Sequence, residues 1–345
     1  MTGFDVAVVG GGLVGAATAY ELAIGGARTV VYDRADAGRA TGAGAGILSP
    51  ETAVRDDAAW TELCRAAGAH YDALVPQLGG DTGWARCGIL ELATRESDVG
   101  AFEWTAARAS GAREIDPDDA RGMCPVLGDV QRALHHPDAA RVDGRMMAAA
   151  LQHAAIARGV DWRAGAAPPV TEIGAEAVVI AGGAWTPETS AQVGVALPIT
   201  PLRGQIMHLD LPEHDTASWP IVQPVFGHYM VPWADRHVAV GATVEDAGFA
   251  AEVTAGGVQE ILREALRVMP GLAPARLREV RVGLRPCSAD DLPVIGPLVG
   301  NVFVCTGHGA NGLLLGPVSG RLVADCVLSR ESQVDLAPFT PARFV

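Results

Sequence analysis

Residues 10–15 read Gly-Gly-Gly-Leu-Val-Gly, and the spacing of Gly10, Gly12 and Gly15 is the one that lets a backbone turn close on a pyrophosphate. Gly10 allows the tight turn, Gly12 lets the main chain approach the phosphates, and Gly15 permits close packing of the helix that follows. Leu13 and Val14 open that helix, whose first amides and positive dipole end attract anions. A second chemical element is Asp33, 18 residues beyond Gly15, an acid placed to accept hydrogen bonds from ribose hydroxyls. Together these residues predict a bound dinucleotide.

Such chemistry needs a strand, a turn, a helix and a second strand in that order. The β-branched run at 4–9 supplies the first strand, and Ala16, Ala19, Tyr20, Leu22 and Ala23 continue a helical pattern. Residues 28–32 form the strand that Asp33 closes. An NAD enzyme usually continues into further βαβ units, but residues 38–50 run through small residues to Ile47-Leu48-Ser49-Pro50. Backbone of that kind lies close against something flat and extended, with Ile47, Leu48 and Pro50 anchoring it; a flexible surface loop is the other reading. The run Ala177 to Ile180, followed by Ala181-Gly182-Gly183-Ala184-Trp185, predicts a buried strand leaving through small residues beside the nucleotide, or an ordinary strand exit.

Composition excludes several functions. The 345 residues carry 40 acids against 26 basic residues, a net charge of −14, which is wrong for nucleic-acid or anionic-lipid binding. All the basic residues counted as Lys or Arg are Arg, so lysine Schiff-base chemistry and Walker-type phosphate binding are excluded. The six cysteines form no C-x-x-C pair and no metal-ligand cluster with His, so they read as free thiols in a reducing compartment and no metal site is expected. No signal peptide is visible, and Arg321 and Asp325 interrupt the longest apolar stretch near the end. The expectation is a cytoplasmic protein with no integral membrane segment.

Along the rest of the chain, helices are predicted at 58–78, 99–110, 144–158 and 257–268. Strands are predicted at 84–93, 203–211, 228–233, 236–243, 278–284 and 302–305, and a final helix follows the glycine turn at 307–312. The change to short alternating runs in the second half predicts an antiparallel sheet. The fold class expected is α/β: a Rossmann-type domain interleaved with an α+β substrate domain on an antiparallel sheet. The nucleotide domain would take 1–80, 143–200 and 283–345, and the substrate domain 81–142 and 201–282.

The motifs together resemble the glycine oxidase and D-amino-acid dehydrogenase branch of the D-amino-acid oxidase superfamily of FAD enzymes. The resemblance covers essentially the whole chain. It rests on Gly10 to Gly15 with Asp33-Arg34, Ala45 to Pro50, Arg141-Val142-Asp143, Ala181 to Trp185, Pro201 to Gln205 and Tyr229 to Pro232. Gly241-Ala242-Thr243, Gly283 to Pro286, Leu292 to Pro297, and Gly307-His308 with Asn311-Gly312 complete it. It implies FAD held by Gly10, Gly12, Leu13, Val14, Gly15, Asp33, Arg34 and Thr41. Ala45, Gly46, Ile47, Leu48, Val170, Ala181, Gly182, Trp185 and Arg285 would join them, with Gly307, His308, Gly309, Asn311, Gly312 and Leu313 at the flavin end. A helix N-terminus there would stabilise negative charge on a reduced flavin.

The same resemblance implies that Arg285 forks onto a substrate carboxylate and that Tyr229 donates a second hydrogen bond to it; an interdomain ion pair and a core tyrosine are the alternatives. Val244, Ala310, His228 and Gln205 would line the substrate pocket. Ala310 stands where glycine oxidases commonly carry a second Arg, which leaves room for a larger side chain, and His228 and His308 read equally as packing histidines. Sarcosine oxidases tether their flavin through a Cys where this chain has Gly283, so FAD is expected to be non-covalent, with Cys287 structural. The implied reaction oxidises a D-amino acid, glycine or an N-alkyl amino acid by hydride transfer to flavin N5. Hydrolysis of the imino acid then gives a 2-oxo acid and ammonia or an amine. Oxygen or a quinone would accept the electrons, and a homo-oligomer is compatible with the sequence. A 2-hydroxy-acid oxidase and a flavin-binding partner protein without turnover are the competing readings.

Overall fold

A computed structural model describes residues 3–53 and 55–344. Two sheets organise it. The first runs in the order Val294–Val299, Val302–Thr306, Ala175–Ile180, Phe4–Val9, Thr29–Asp33, Asp161–Ala164. Its four strand pairs from Val302–Thr306 to Asp161–Ala164 are parallel, and only Val294–Val299 is antiparallel. Both faces are covered, which is why these strands read as continuous apolar runs. On one face Val6, Val8 and Val179 pack under helices Leu13–Ile24, Gly144–Ala157 and Gly312–Val327. On the other, Ala7, Val178 and Ile180 meet Leu197, Ile199 and Val294.

The second sheet has eight strands in the order Arg276–Ser288, Ile199–Asp210, His237–Gly241, Tyr229–Trp233, Ile221–Pro224, Ile89–Ala93, Arg132–His136, Arg113–Ile115. It is antiparallel except where Ile221–Pro224 joins Ile89–Ala93. Side chains alternate across it. One face, with Met207, Leu209, Met230 and Val240, packs on the amphipathic helix Ala255–Val268 through Ile261, Ala265 and Val268. The opposite face, with Ile206, Val231, Trp233 and Ala239, turns toward Ala43, Ala45 and Ile47 of the small-residue loop. A three-stranded sheet, Ile47–Leu48, Ala140–Arg141, Ala85–Arg86, pins that loop.

The expected α/β class holds, with an α+β arrangement on the larger sheet. Several boundaries differ from the sequence expectations. The strand expected at 84–93 is two strands, because the Cys87 and Gly88 amides both donate to the Ala139 carbonyl, two residues opposing one. The helix expected at 58–78 stops at Leu74, and the chain tightens into a 3₁₀ turn over Val75–Gln77 around Pro76. The helix expected at 99–110 ends at Ala106. Among the described residues the six cysteines are unpaired, no metal-ligand cluster occurs, and no helix is long and apolar enough to cross a membrane.

Candidate active site

The cavity that joins the two sheets has a volume of about 490 Å³. One end is built by the first glycine turn. A Cβ on Gly10 would overlap the Ala181 carbonyl oxygen, and one on Gly11 would come within 2.6 Å of the Trp162 ring and 2.7 Å of Asp33 Cβ. Gly10 and Gly11 can therefore carry no side chains, and the turn presents bare backbone to the cavity. Helix Leu13–Ile24 starts there without a side-chain cap of its own and with no acid in its first turn. The Leu13 amide is taken by Thr41 Oγ1 at 3.0 Å, and the neighbouring amides are left for an anion. Asp33 ends the second strand in the cavity wall, where its carboxylate accepts from Arg39 Nη1 at 2.7 Å. Arg34 crosses to Glu188 at 3.1 Å, so two strand-end residues and helix Thr186–Ser190 close the rim.

The middle of the cavity is lined by the small-residue loop and faced by Gly283 of the long strand Arg276–Ser288. A Cβ on Gly283 would sit 2.8 Å from Ala43 Cβ, so the position has no room for a tethering side chain. Cys287 lies outside the wall, its thiol buried and pushed up by that burial, and bridges through its backbone to His308. At the far side the turn Gly309–Asn311 leads into helix Gly312–Val327, again without a side-chain cap. His308 is in this wall; burial alone lowers it to about 4, so it stands neutral at pH 7 with Nε2 unpaired.

The larger sheet forms the remaining wall. Arg285 reaches back over Gly204, where any Cβ would collide with the guanidinium. Its Nη1 donates to the Thr243 carbonyl at 3.0 Å and the Arg203 carbonyl at 3.4 Å, neither of which neutralises its charge. Tyr229 shares the wall; burial raises its hydroxyl to about 12 and the nearby Arg285 charge opposes that rise, so it stays a neutral donor. Behind them Glu245 gathers three bonds, from Arg203 Nη2 at 2.6 Å, Thr243 Oγ1 at 2.6 Å and Gln205 Nε2 at 2.8 Å. Burial opposes its ionisation, but these bonds, Arg203 foremost, outweigh it and lower Glu245 to about 2.

Most residues expected from the sequence meet in this one cavity: Gly10, Gly12, Leu13, Val14, Asp33, Arg34, Thr41, Ala45, Gly46, Ile47, Val170, Ala181, Gly182, Trp185, Arg285, Tyr229, His308, Gly309, Ala310, Asn311, Gly312 and Leu313. Six do not line it. Gly15 lies under the turn, where a Cβ would overlap the Gly10 carbonyl, so it shapes the cradle from behind. Leu48 is buried in the helical core, and Gly307 packs on Val294 and Ser288. Gln205 alternates onto the opposite face of the sheet from Gly204 and bonds Glu245 and Thr254. His228 likewise faces away from Tyr229, toward Glu260 at 3.5 Å, and Val244 is 70% exposed; both line a separate shallow surface hollow. Gln223 was not anticipated. It enters the wall beside Tyr229, one residue on from the Val222–Met230 pair, and no local motif marks it.

Comparison with known proteins gives the family and the fold. The family model described as FAD dependent oxidoreductase matches residues 5–326. An uncharacterised oxidoreductase of Bacillus subtilis (strain 168) is 37% identical over 97% of this chain and 98% of its own. The glycine oxidase of Geobacillus kaustophilus (strain HTA426) is 32% identical over 99% of this chain and 97% of its own. The crystal structure of iminodiacetate oxidase from Chelativorans sp. BNC1 superposes with a TM-score of 0.92 at 34% identity, covering 97% of this chain and 98% of that one. The bare glycine turn, the uncapped helix starts and the acid Asp33 in the cavity wall suit a dinucleotide of just this kind, and over nearly all its length the chain belongs to the FAD-dependent oxidoreductase family.

Proposed function

We propose that the protein oxidises a small amino acid with a primary or secondary amine, a D-amino acid, glycine or an N-alkyl amino acid, to its imino acid. Water then converts the imino acid to a 2-oxo acid and ammonia or an amine. The observation that carries this reading is Arg285: a guanidinium in the cavity wall whose partners are two carbonyls, with Tyr229 beside it. An Arg fork left without a counter-charge fits a carboxylate better than any neutral group. The glycine oxidase and iminodiacetate oxidase relatives support an amine donor.

Bound FAD supplies a two-electron acceptor for the substrate's α C–H bond. The chain supplies orientation. Arg285 and the Tyr229 hydroxyl hold the carboxylate, and the Thr243 and Arg203 carbonyls fix the guanidinium, so the α-carbon is presented in one pose. Thr243 is itself tied to Glu245, whose charge is secured by Arg203. Gly283 keeps the space between strand and loop clear, which suits non-covalent FAD. The uncapped start at Gly309–Asn311 and the neutral His308 lie where negative charge on the cofactor would be stabilised.

The test is anaerobic mixing with glycine, sarcosine, D-amino acids and 2-hydroxy acids while flavin absorbance is followed. Bleaching by amino acids with release of ammonia or amine is expected. Bleaching by hydroxy acids alone, or by nothing, overturns the reading. Arg285→Met should remain yellow and lose bleaching at least 100-fold in apparent affinity, as expected for a charge-assisted bidentate contact.

A further inference from the structure

Arg141 is a second guanidinium that the fold leaves without a counter-charge. It is only 4% exposed, and its Nε and Nη1 have no hydrogen-bond partner among the described residues. A guanidinium keeps its charge, and burying one unpaired is costly, so the sequence would not retain it for stability. Its surroundings are specific. Arg141 stands directly opposite Ile47 in the small three-stranded sheet, so both side chains leave on the same face, and Ile47 lines the cavity. Its Cζ lies 5.4 Å from the centre of the Trp233 ring. Trp233 shares its sheet face with Val231 and Tyr229, and Tyr229 lines the cavity.

A second orphan lies against the first. Trp233 Nε1 is buried with no acceptor among the described residues. The thiol of Cys87, also adjacent to Arg141, is kept neutral because burial pushes it up. Arg141 also points a donor at the Cys87 thiol, but its Nε and Nη1 and the Trp233 Nε1 have no acceptor among the described residues, so two neighbouring side chains, one of them charged, keep donors free. Arg141, Trp233 and Cys87 lie behind the cavity wall rather than in it, next to the lining residues Ile47 and Tyr229, and rotation of the long Arg141 stem past Ile47 would bring its guanidinium to the cavity.

We infer that Arg141 is a second acid-binding residue of the substrate cavity and that the substrate carries two acidic groups, one held by Arg285 and the other by Arg141. This rests on the amino-acid oxidation proposed above and narrows its substrate class to an amino acid with a further carboxylate on its side chain or on its nitrogen substituent. Arg285 and Tyr229 select the carboxylate next to the reacting carbon, and Arg141 with the Trp233 donor selects the distal one.

The experiment is a titration of the FAD-loaded protein with inert acids, read by perturbation of the flavin visible spectrum and by calorimetry. Butyrate and succinate, of equal carbon number, give the preference for a second carboxylate. The wild-type protein should prefer succinate by roughly 10- to 100-fold, the scale of one charge-assisted pair. Arg141→Met should bring that ratio close to one, and Arg141→Lys, which keeps a charge without the fork, should retain part of it. Flavin content is measured for each variant. A ratio near one in the wild type, a ratio unchanged in Arg141→Met, or a variant that loses flavin while keeping the ratio each overturns the inference. Arg285→Met should weaken both acids; if it weakens neither, the carboxylate anchor of the parent reading fails, whatever the Arg141 variants do.

Discussion

Replacing Gly46 by Ala tests whether the small-residue loop is held by its backbone. Gly46 has φ +87°, and a Cβ there would overlap the Val142 carbonyl oxygen. The same residue accepts a hydrogen bond from the Val142 amide at 2.9 Å. Left-handed backbone costs a non-glycine residue about 1–2 kcal/mol. Relieving the overlap means pulling the loop off Val142, which costs about 1 kcal/mol more for the lost bond. The expected destabilisation is about 2–3 kcal/mol, and the displaced Ala45, Gly46 and Ile47 would move within the cavity wall. Gly26→Ala is the control, since Gly26 has φ +85° with nothing within 4 Å of a new Cβ and so carries the backbone cost alone. Urea denaturation of the flavin-free proteins gives the stability difference, and fluorescence titration gives FAD affinity. Gly46→Ala should lose more stability than Gly26→Ala and, because its displaced loop lines the cavity, bind FAD more weakly than Gly26→Ala does. Equal stability and unchanged FAD affinity in the two variants would refute the account of the loop.

Two further outcomes follow from the site. Burial lowers His70 to about 4, His208 to about 3 and His308 to about 4 from an ordinary 6.5. Below pH 6.5 the unfolded chain takes up protons that the folded one refuses, so stability is fully present above 6.5 and falls toward pH 4. Each imidazole contributes a slope of up to about 1.4 kcal/mol per pH unit. His308→Gln should make the pH 4–6.5 limb of a urea-midpoint profile shallower, and an unchanged slope would rule out its buried neutral form. With no side chain at Gly283 to tether it, FAD should stay wholly in the supernatant when the protein is precipitated by acid; colour retained in the pellet after washing would show a covalent link.

The strand, glycine turn, helix and second strand were legible in the sequence because their signals are local and follow one another within 33 residues. The Arg285 and Tyr229 positions were legible only through the resemblance, since pairing across four strands brings them to one wall. Gln205 and His228 show what adjacency in sequence conceals. Each neighbours a wall residue, Gly204 or Tyr229, and strand alternation sends it to the other face, against the helix Ala255–Val268 and its flanks. Val244 lies beyond the end of its strand, where period-two reasoning stops. Gln223 and the Arg132–His136 strand carry no turn or motif signal of their own, and only the assembled sheet reveals them.

The strand Arg276–Ser288 has Gly283 against the small-residue loop, Arg285 in the cavity wall, and Cys287 bridged to His308 on the far side of the cavity. On the proposed function, cofactor and substrate would share this single piece of backbone. Any coupling carried through that strand would be reciprocal: whatever factor FAD adds to the affinity for a carboxylate, the carboxylate would add to the affinity for FAD. In a cell short of flavin, a good substrate would help to keep the enzyme loaded.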